Sequence, residues 1–176
     1  MILSRTELIG KLTAAGIPTG TVALFAPDEI EGALFGSLSC EYVQRIWDSF
    51  IATLQADPHA NLTVRRDLGY GVTRIVPNWH APGAVCRHWA FAFYGFALLC
   101  LAKKAIAEAQ TNDGYSLAVV YYTATPRPED LGRDGRHARI FHVDDEGKLC
   151  QFEEGDGDCE PMTPEELASI TFMAFC

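Results

Sequence analysis

The residues of this chain with the clearest chemical promise are a cysteine, a histidine and a carboxylate: Cys86, His137 and Glu153. Cys86 stands where a loop rich in proline, glycine and alanine, Pro77 to Val85, runs into a long apolar segment beginning Cys86-Arg87-His88-Trp89-Ala90-Phe91. The first backbone N–H groups of a helix have no partner within it and carry partial positive charge. A sulfur held there is favoured as thiolate, the form that attacks carbonyl carbon. The same cysteine also reads as a small buried hydrophobe, so its function depends on a base being nearby.

A thiol nucleophile needs a base that takes its proton and returns it to the leaving group, and a third group that orients the imidazole. His137 and Glu153 are the candidates. Strand alternation turns His137, Arg139 and Phe141 to one side and Ala138, Ile140 and His142 to the other, which separates the two histidines of this strand. If the hairpin loop after Val143 has an odd number of residues, Glu153 lies on the face of His137, across from it or diagonal to it. An even loop substitutes Glu154. Glu153, Glu154, Asp156, Asp158 and Glu160 also read as a solvated acidic surface, and no calcium-loop spacing is present among them. His88 is expected in the core or in a supporting position, and a zinc site from Cys86, His88 and His137 has no recognisable ligand spacing.

Gly83-Ala84-Val85-Cys86-Arg87-His88-Trp89-Ala90 resembles the cysteine motif of transglutaminase-like cysteine peptidases, a G-x-C-x-x-x-A pattern that opens the central helix. His137-Ala138-Arg139-Ile140-Phe141 is similar to their histidine strand, and Leu149-Cys150-Gln151-Phe152-Glu153 to the next strand, which ends in an acidic residue. The likeness covers roughly residues 83 to 156. It implies a papain-like fold and a catalytic triad of Cys86, His137 and Glu153 acting on an amide bond in a peptide, protein or other substrate, by hydrolysis or acyl transfer, without a cofactor or metal. The chain also resembles short phage-encoded or bacterial proteins with the same core. It departs from the family at His88, where many relatives carry aspartate, and at Leu149, where they carry an aromatic residue. A catalytically inactive domain that uses its cleft for binding is the alternative those departures motivate.

The surrounding elements are those expected of an α+β domain. Ser4 and Glu7 make a capping box for a first helix ended by Gly16 and Pro18, and Thr21 to Ala26 reads as a short strand. Ser39 caps a second helix with Val43, Ile46, Trp47, Phe50, Ile51 and Leu54 at helical spacing, closed by Asp57-Pro58. Leu62 to Arg66 and Gly71 to Val76 read as strands joined by a turn at Asp67-Leu68-Gly69. The Cys86 helix runs to about Gln110, and its apolar character nearly all round predicts a buried central helix. Strands follow at Leu117 to Thr123, Arg136 to Val143 and Leu149 to Glu153, the last two around a turn at Asp144 to Lys148. Thr163-Pro164-Glu165-Glu166 opens a short helix before a final strand, Ile170 to Phe175. The whole, 1–176, reads as a single domain with a helical part at 1–60 and the cysteine helix and antiparallel sheet at 61–176. Asn78, Trp79 and His80 lie nearest a prospective oxyanion site, together with the backbone N–H of Cys86. The Pro126 to Gly135 loop is placed as a lid, its arginines (127, 133 and 136) suited to a substrate carboxylate or to pairing with Glu129 and Asp134.

A length of 176 residues with 48% hydrophobic and 21% charged content fits a soluble domain with a substantial core. The net charge of −9 argues against a nucleic-acid backbone or an anionic membrane as partner. The uncharged run Trp89 to Ala102 is short for a bilayer span, and the first residues lack the pattern of a secretory signal. Six cysteines without a C-x-x-C pair, one of them (Cys100) inside the central helix, suit a reducing compartment better than a disulfide framework. The expected location is the cytoplasm, and nothing in the sequence speaks to oligomeric state.

Overall fold

Alternating apolar strands flanked by capped helices need cover on both faces of their sheet, and that requirement sets the architecture. The structure, a computed structural model, describes residues 1–24, 32–57, 59–78, 86–123, 136–153 and 158–175; at Thr19, Ala23, Leu24, Cys86, Arg136, Glu153 and Asp158 it describes the backbone alone. In chain order the elements are β1 (Ile2–Ser4), α1 (Arg5–Ala14), a 3-10 turn (Thr19–Thr21), β2 (Val22–Leu24), β3 (Leu34–Gly36), α2 (Cys40–Gln55), β4 (Thr63–Gly69), β5 (Val72–Pro77), α3 (Cys86–Ala107), β6 (Gly114–Tyr115), β7 (Leu117–Thr123), β8 (Arg136–Val143), β9 (Leu149–Glu153), β10 (Asp158–Pro161), α4 (Pro164–Ala168) and β11 (Phe172–Phe175). The fold is α+β.

The main sheet has six strands in the order β10-β9-β8-β7-β11-β2, antiparallel except for the parallel pair β11 and β2. A three-stranded sheet, β1-β3-β6, and the hairpin β4-β5 accompany it. Ser116 sits where the chain passes from β6 to β7, buried, its hydroxyl donating to the carbonyls of Gly36 and Val143. That pairing ties the small sheet to the large one.

Two apolar clusters lie on the two faces of the main sheet. One joins α2 and α3 to Leu117, Val119, Ala138, Ile140 and Phe152. The other joins Leu8 and Leu12 of α1 and Leu167 of α4 to Ala118, Val120, Tyr122, Phe141 and Val143. The parity of β7 and β8 thus divides the core. Rings of Trp47, Phe50, Phe93 and Phe152, centroids 5.0–5.6 Å apart, fill the first cluster in tilted and edge-on arrangements that aromatic quadrupoles favour.

Both expected capping boxes form: Ser4 with Glu7 at α1, and Thr163 with Glu166 at α4, where Pro164 occupies the first turn. Ser39 caps α2 as expected. Other expectations are corrected. The β4-β5 turn falls at Tyr70-Gly71, not at Asp67 to Gly69, because residues 70 and 71 both adopt positive φ (50° and 78°), the combination that matches the twist of a two-residue hairpin. Strands β1, β3, β6 and β10 were not anticipated, since two to four residues carry too little alternation to be seen. The central helix is buried on one face only: Trp89, Ala90, Phe93, Tyr94, Ala97 and Leu101 are covered, while Phe91, Leu99 and Ile106 remain 47%, 65% and 83% exposed. By length and composition Arg87–Ala107 is long and apolar enough to cross a membrane, because the helix extends past the uncharged run through its flanking basic residues. Finally, Cys40 and Cys159, 119 residues apart, form a disulfide, against the expectation of unpaired cysteines. Spacing along the chain could not reveal it, since α2 and β10 meet only in the folded sheet.

Candidate active site

The expected nucleophile opens a helix, as its sequence suggested: Cys86 is the first residue of α3. Its thiol lies outside the described side chains. The position of the helix N-terminus follows from contacts farther along. Phe91 packs its ring 6.2 Å from that of Tyr121, and Tyr94 donates its hydroxyl to the Leu117 carbonyl at 3.4 Å, so α3 runs against the direction of β7 and along that of β8. At 1.5 Å per residue Cys86 precedes Phe91 by about 7.5 Å, close to two residues of strand, which carries the helix start to the end of β7 at Thr123. Thr123 pairs with Arg136, the first residue of β8, and His137 is the next.

The acidic strand ends at the same place. Val143 pairs with Leu149 and Ile140 with Phe152, so five residues, Asp144 to Lys148, form the loop. An odd loop was the condition for Glu153, and the register carries its backbone opposite Arg139, diagonal to His137 and on the same strand face. Glu154 lies outside the described residues. The start of α3, the start of β8 and the end of β9 thus gather at one end of the main sheet.

The two faces of β8 differ in what covers them. Ala138 and Ile140 lie under α3, whereas Phe141 belongs to the cluster beneath α1 and α4. His137, half-buried, shares the parity of Phe141, and its ring lies 6.3 Å from that of Tyr122. An imidazole on this side reaches the head of α3 only around the end of the sheet. Its face is polar. The Tyr122 hydroxyl donates to Gln151 Oε1 at 2.9 Å, Gln151 Nε2 donates to Glu160 Oε1 at 3.0 Å, and Glu160 pairs with Arg139 Nη1 at 3.6 Å, the guanidinium lying 5.6 Å from the Tyr122 ring centre. Gln151 and Arg139 are buried, so this network fixes the strand positions beside His137.

Other sequence candidates have definite places. Asn78 is buried and donates its amide to the Asn61 carbonyl at 3.0 Å, whereas Trp79, His80 and the Pro126 to Gly135 loop lie outside the described residues. His88 is exposed rather than in the core. His142 is fully buried, and burial pushes its pKa down to about 4, with the Leu38 backbone and Asp144 acting weakly the other way. A ring so hard to protonate is a poor proton shuttle at neutral pH. Cys150 is buried as well, its thiol pushed up to about 11 by burial and then by the Asp144 carboxylate. A cleft of about 520 Å³ opens at the opposite end of α3, lined by Tyr42, Arg45, Lys104, Asn112, Tyr115 and Asp145 among others. The 22 residues of α3 separate it from Cys86 by about 30 Å.

No family model matches the chain, and comparison with curated proteins gives no match. Among solved structures, a lectin of Polyporus squamosus, bound to the human-type influenza-binding epitope Neu5Aca2-6Galb1-4GlcNAc, shares its fold with a TM-score of 0.54 and 13% identity over 99% of this chain. The chain spans about half (49%) of that lectin's length.

Proposed function

We propose that this protein is a thiol hydrolase or acyltransferase of the papain-like, transglutaminase-like kind, acting on an amide bond. What carries the reading is the gathering of three element ends, the head of α3 with Cys86, the start of β8 with His137 and the end of β9 with Glu153, at one end of the sheet. Unpaired N–H groups of the first turn of α3 favour the thiolate of Cys86. That sulfur attacks the carbonyl carbon of the amide, and the backbone N–H of Cys86 is a donor for the resulting oxyanion. His137, having taken the thiol proton, delivers it to the departing amine, which leaves an acyl-enzyme. Water or a second amine, deprotonated by His137, then releases the acyl group. Glu153 orients His137, and the Tyr122–Gln151–Glu160–Arg139 network supports the strands on which both stand.

Labelling with a thiol-reactive substrate analogue tests this. Cys86 is expected to react at least tenfold faster than Cys100, and faster still than Cys150, whose thiol is buried and hard to ionise; His137→Ala should erase the preference. A second reading, a binding domain without catalysis, is favoured by the position of His137 on the sheet face away from α3 and by the fold shared with a sugar-binding protein. Slow labelling at similar rates for all accessible thiols is its expected result.

A further inference from the structure

Four side chains that the proposed reaction does not use converge on the face of the main sheet beneath α2. Each of Cys40, His142, Cys150 and Cys159 offers one ligand atom, and the four atoms lie within 4.8 Å of one another. His142 Nε2 is 3.0 Å from Cys159 Sγ and 3.9 Å from Cys40 Sγ. We propose that these residues form a structural Zn²⁺ site of the Cys3His type, and that the Cys40–Cys159 disulfide is its oxidised, metal-free state.

The geometry is built by rigid elements. His142 and Cys150 face each other across β8 and β9, and Cys159 stands on β10 opposite Phe152, two residues along β9 from Cys150 and so on the same face. Three strands therefore fix three ligands on one face. The fourth, Cys40, is the first residue of α2, where unpaired backbone N–H groups favour thiolate. Tetrahedral zinc with Zn–S near 2.3 Å and Zn–N near 2.0 Å sets its ligand atoms about 3.5–3.8 Å apart, so the widest separations must close by on the order of 1 Å, while the Cys40 and Cys159 sulfurs part on reduction and Cys159 Sγ draws back from His142 Nε2 by about 0.5 Å. Thiolate sulfur and imidazole nitrogen select zinc over magnesium or calcium. His142 is fully buried with its Nε2 turned to the sulfurs, the arrangement of a ligand rather than of a ring packed in hydrocarbon. Four protein ligands leave no open position, which makes the site structural. It stands about 16 Å along β8 from His137, and the proposal does not depend on the amide chemistry.

The two states exchange by a balanced step. The thiolates of Cys40 and Cys159 lose two electrons and join as the disulfide; hydrogen peroxide takes the two electrons with two protons to give two waters; Zn²⁺ leaves, and the Cys150 thiolate takes a third proton from solvent to become a free thiol, as the structure has it.

Cobalt titration of the full chain, reduced with a phosphine in the absence of oxygen, tests the site. The expected result is one Co²⁺ per chain with thiolate-to-cobalt charge-transfer bands and strong tetrahedral d–d bands, displaced by one equivalent of Zn²⁺. Cys150→Ser, which leaves the disulfide pair in place, should weaken binding at least tenfold and diminish the charge-transfer bands, whereas Cys100→Ser should change neither. The peroxide-oxidised chain should take up no metal. Weak, octahedral cobalt spectra from the reduced wild-type chain overturn the proposal without recourse to any variant. So does unchanged affinity in Cys150→Ser, or equal uptake by the oxidised chain.

Discussion

At the scale of single residues, the chain contains two histidines on one strand with opposite prospects. His137 is the second residue of β8 and half-buried, and His142 near the other end of the strand is sealed among sulfurs. Alternation alone separated them, since an odd and an even position cannot share a strand face. The buried ring has a consequence for stability in the metal-free disulfide form. Its folded pKa of about 4 lies below the ordinary value of 6.5, so between these limits the unfolded chain binds more protons than the folded one. Stability is therefore full above about pH 6.5 and declines as pH falls toward 4, by an amount on the order of 3 kcal/mol. Denaturant midpoints measured from pH 7 to pH 4 should fall steeply for the oxidised chain. His142→Gln, with no ionisable ring, should flatten that part of the profile, and an equal slope in both proteins would show that other groups cause it. Asp144 offers a second test at this scale. Its Oδ1 accepts from the backbone N–H groups of Glu146 and Lys148 at 2.9 and 2.8 Å, closing the β8-β9 turn on which the odd-loop register depends. Asp144→Ala should lower stability by about 1–2 kcal/mol in a denaturant titration, with Asn recovering part of the loss.

Elements show where sequence patterns speak and where they fall silent. Helices α1, α2 and α4 were readable because Ser4, Ser39 and Thr163 act locally, each bonding a backbone N–H three residues on. The β8-β9 pairing was readable for the same reason: one loop length decides which residues share a face. Helix α3 was readable in extent but not in orientation. When nearly every position is apolar, periodicity cannot tell the covered face from the bare one, and only the sheet and α2 decide that Phe93 is buried while Leu99 is not. The cysteine cluster was likewise only half visible. An odd loop already sets His142 and Cys150 on one face, but their direct pairing and the approach of Cys40 and Cys159 come from the register and from contacts of α2 and β10 that leave no local trace. The two faces of α3 should respond differently to truncation. Phe93→Ala removes a ring packed against Trp47, Phe50 and Phe152 and should cost about 3–5 kcal/mol, whereas Leu99→Ala should stay within about 0.5 kcal/mol. Similar losses at both positions would mean that the Leu99 face is covered in solution.

For the molecule as a whole, the sulfur cluster matters because of what it fastens. Residues 40 and 159 begin α2 and sit in the edge strand β10, so a link between them closes a loop of 119 residues around α3, β7, β8 and β9, the elements that carry Cys86, His137 and Glu153. Constraining the unfolded chain over that length contributes up to about 4–5 kcal/mol in the chain-entropy account, less if the unfolded state retains structure. A zinc ion held by the same two sulfurs, with Cys150 and His142 added, makes an equivalent tie through coordination bonds. Three preparations therefore form an ordered series: the oxidised chain and the reduced chain with zinc should both be stable, and the reduced chain with a chelator should be the weakest by several kcal/mol. Urea unfolding followed by circular dichroism measures each midpoint, and Cys159→Ser should remove the advantage of the oxidised and zinc-loaded states alike. Identical midpoints for the reduced, chelated chain and the other two would mean that this corner of the fold holds together by packing alone. In that case the sheet end bearing His137 should also label and titrate identically in all three preparations. If the tie is real, loosening it should slow the Cys86 reaction together with the fall in stability, because β8 and β9 position the proposed base and its carboxylate.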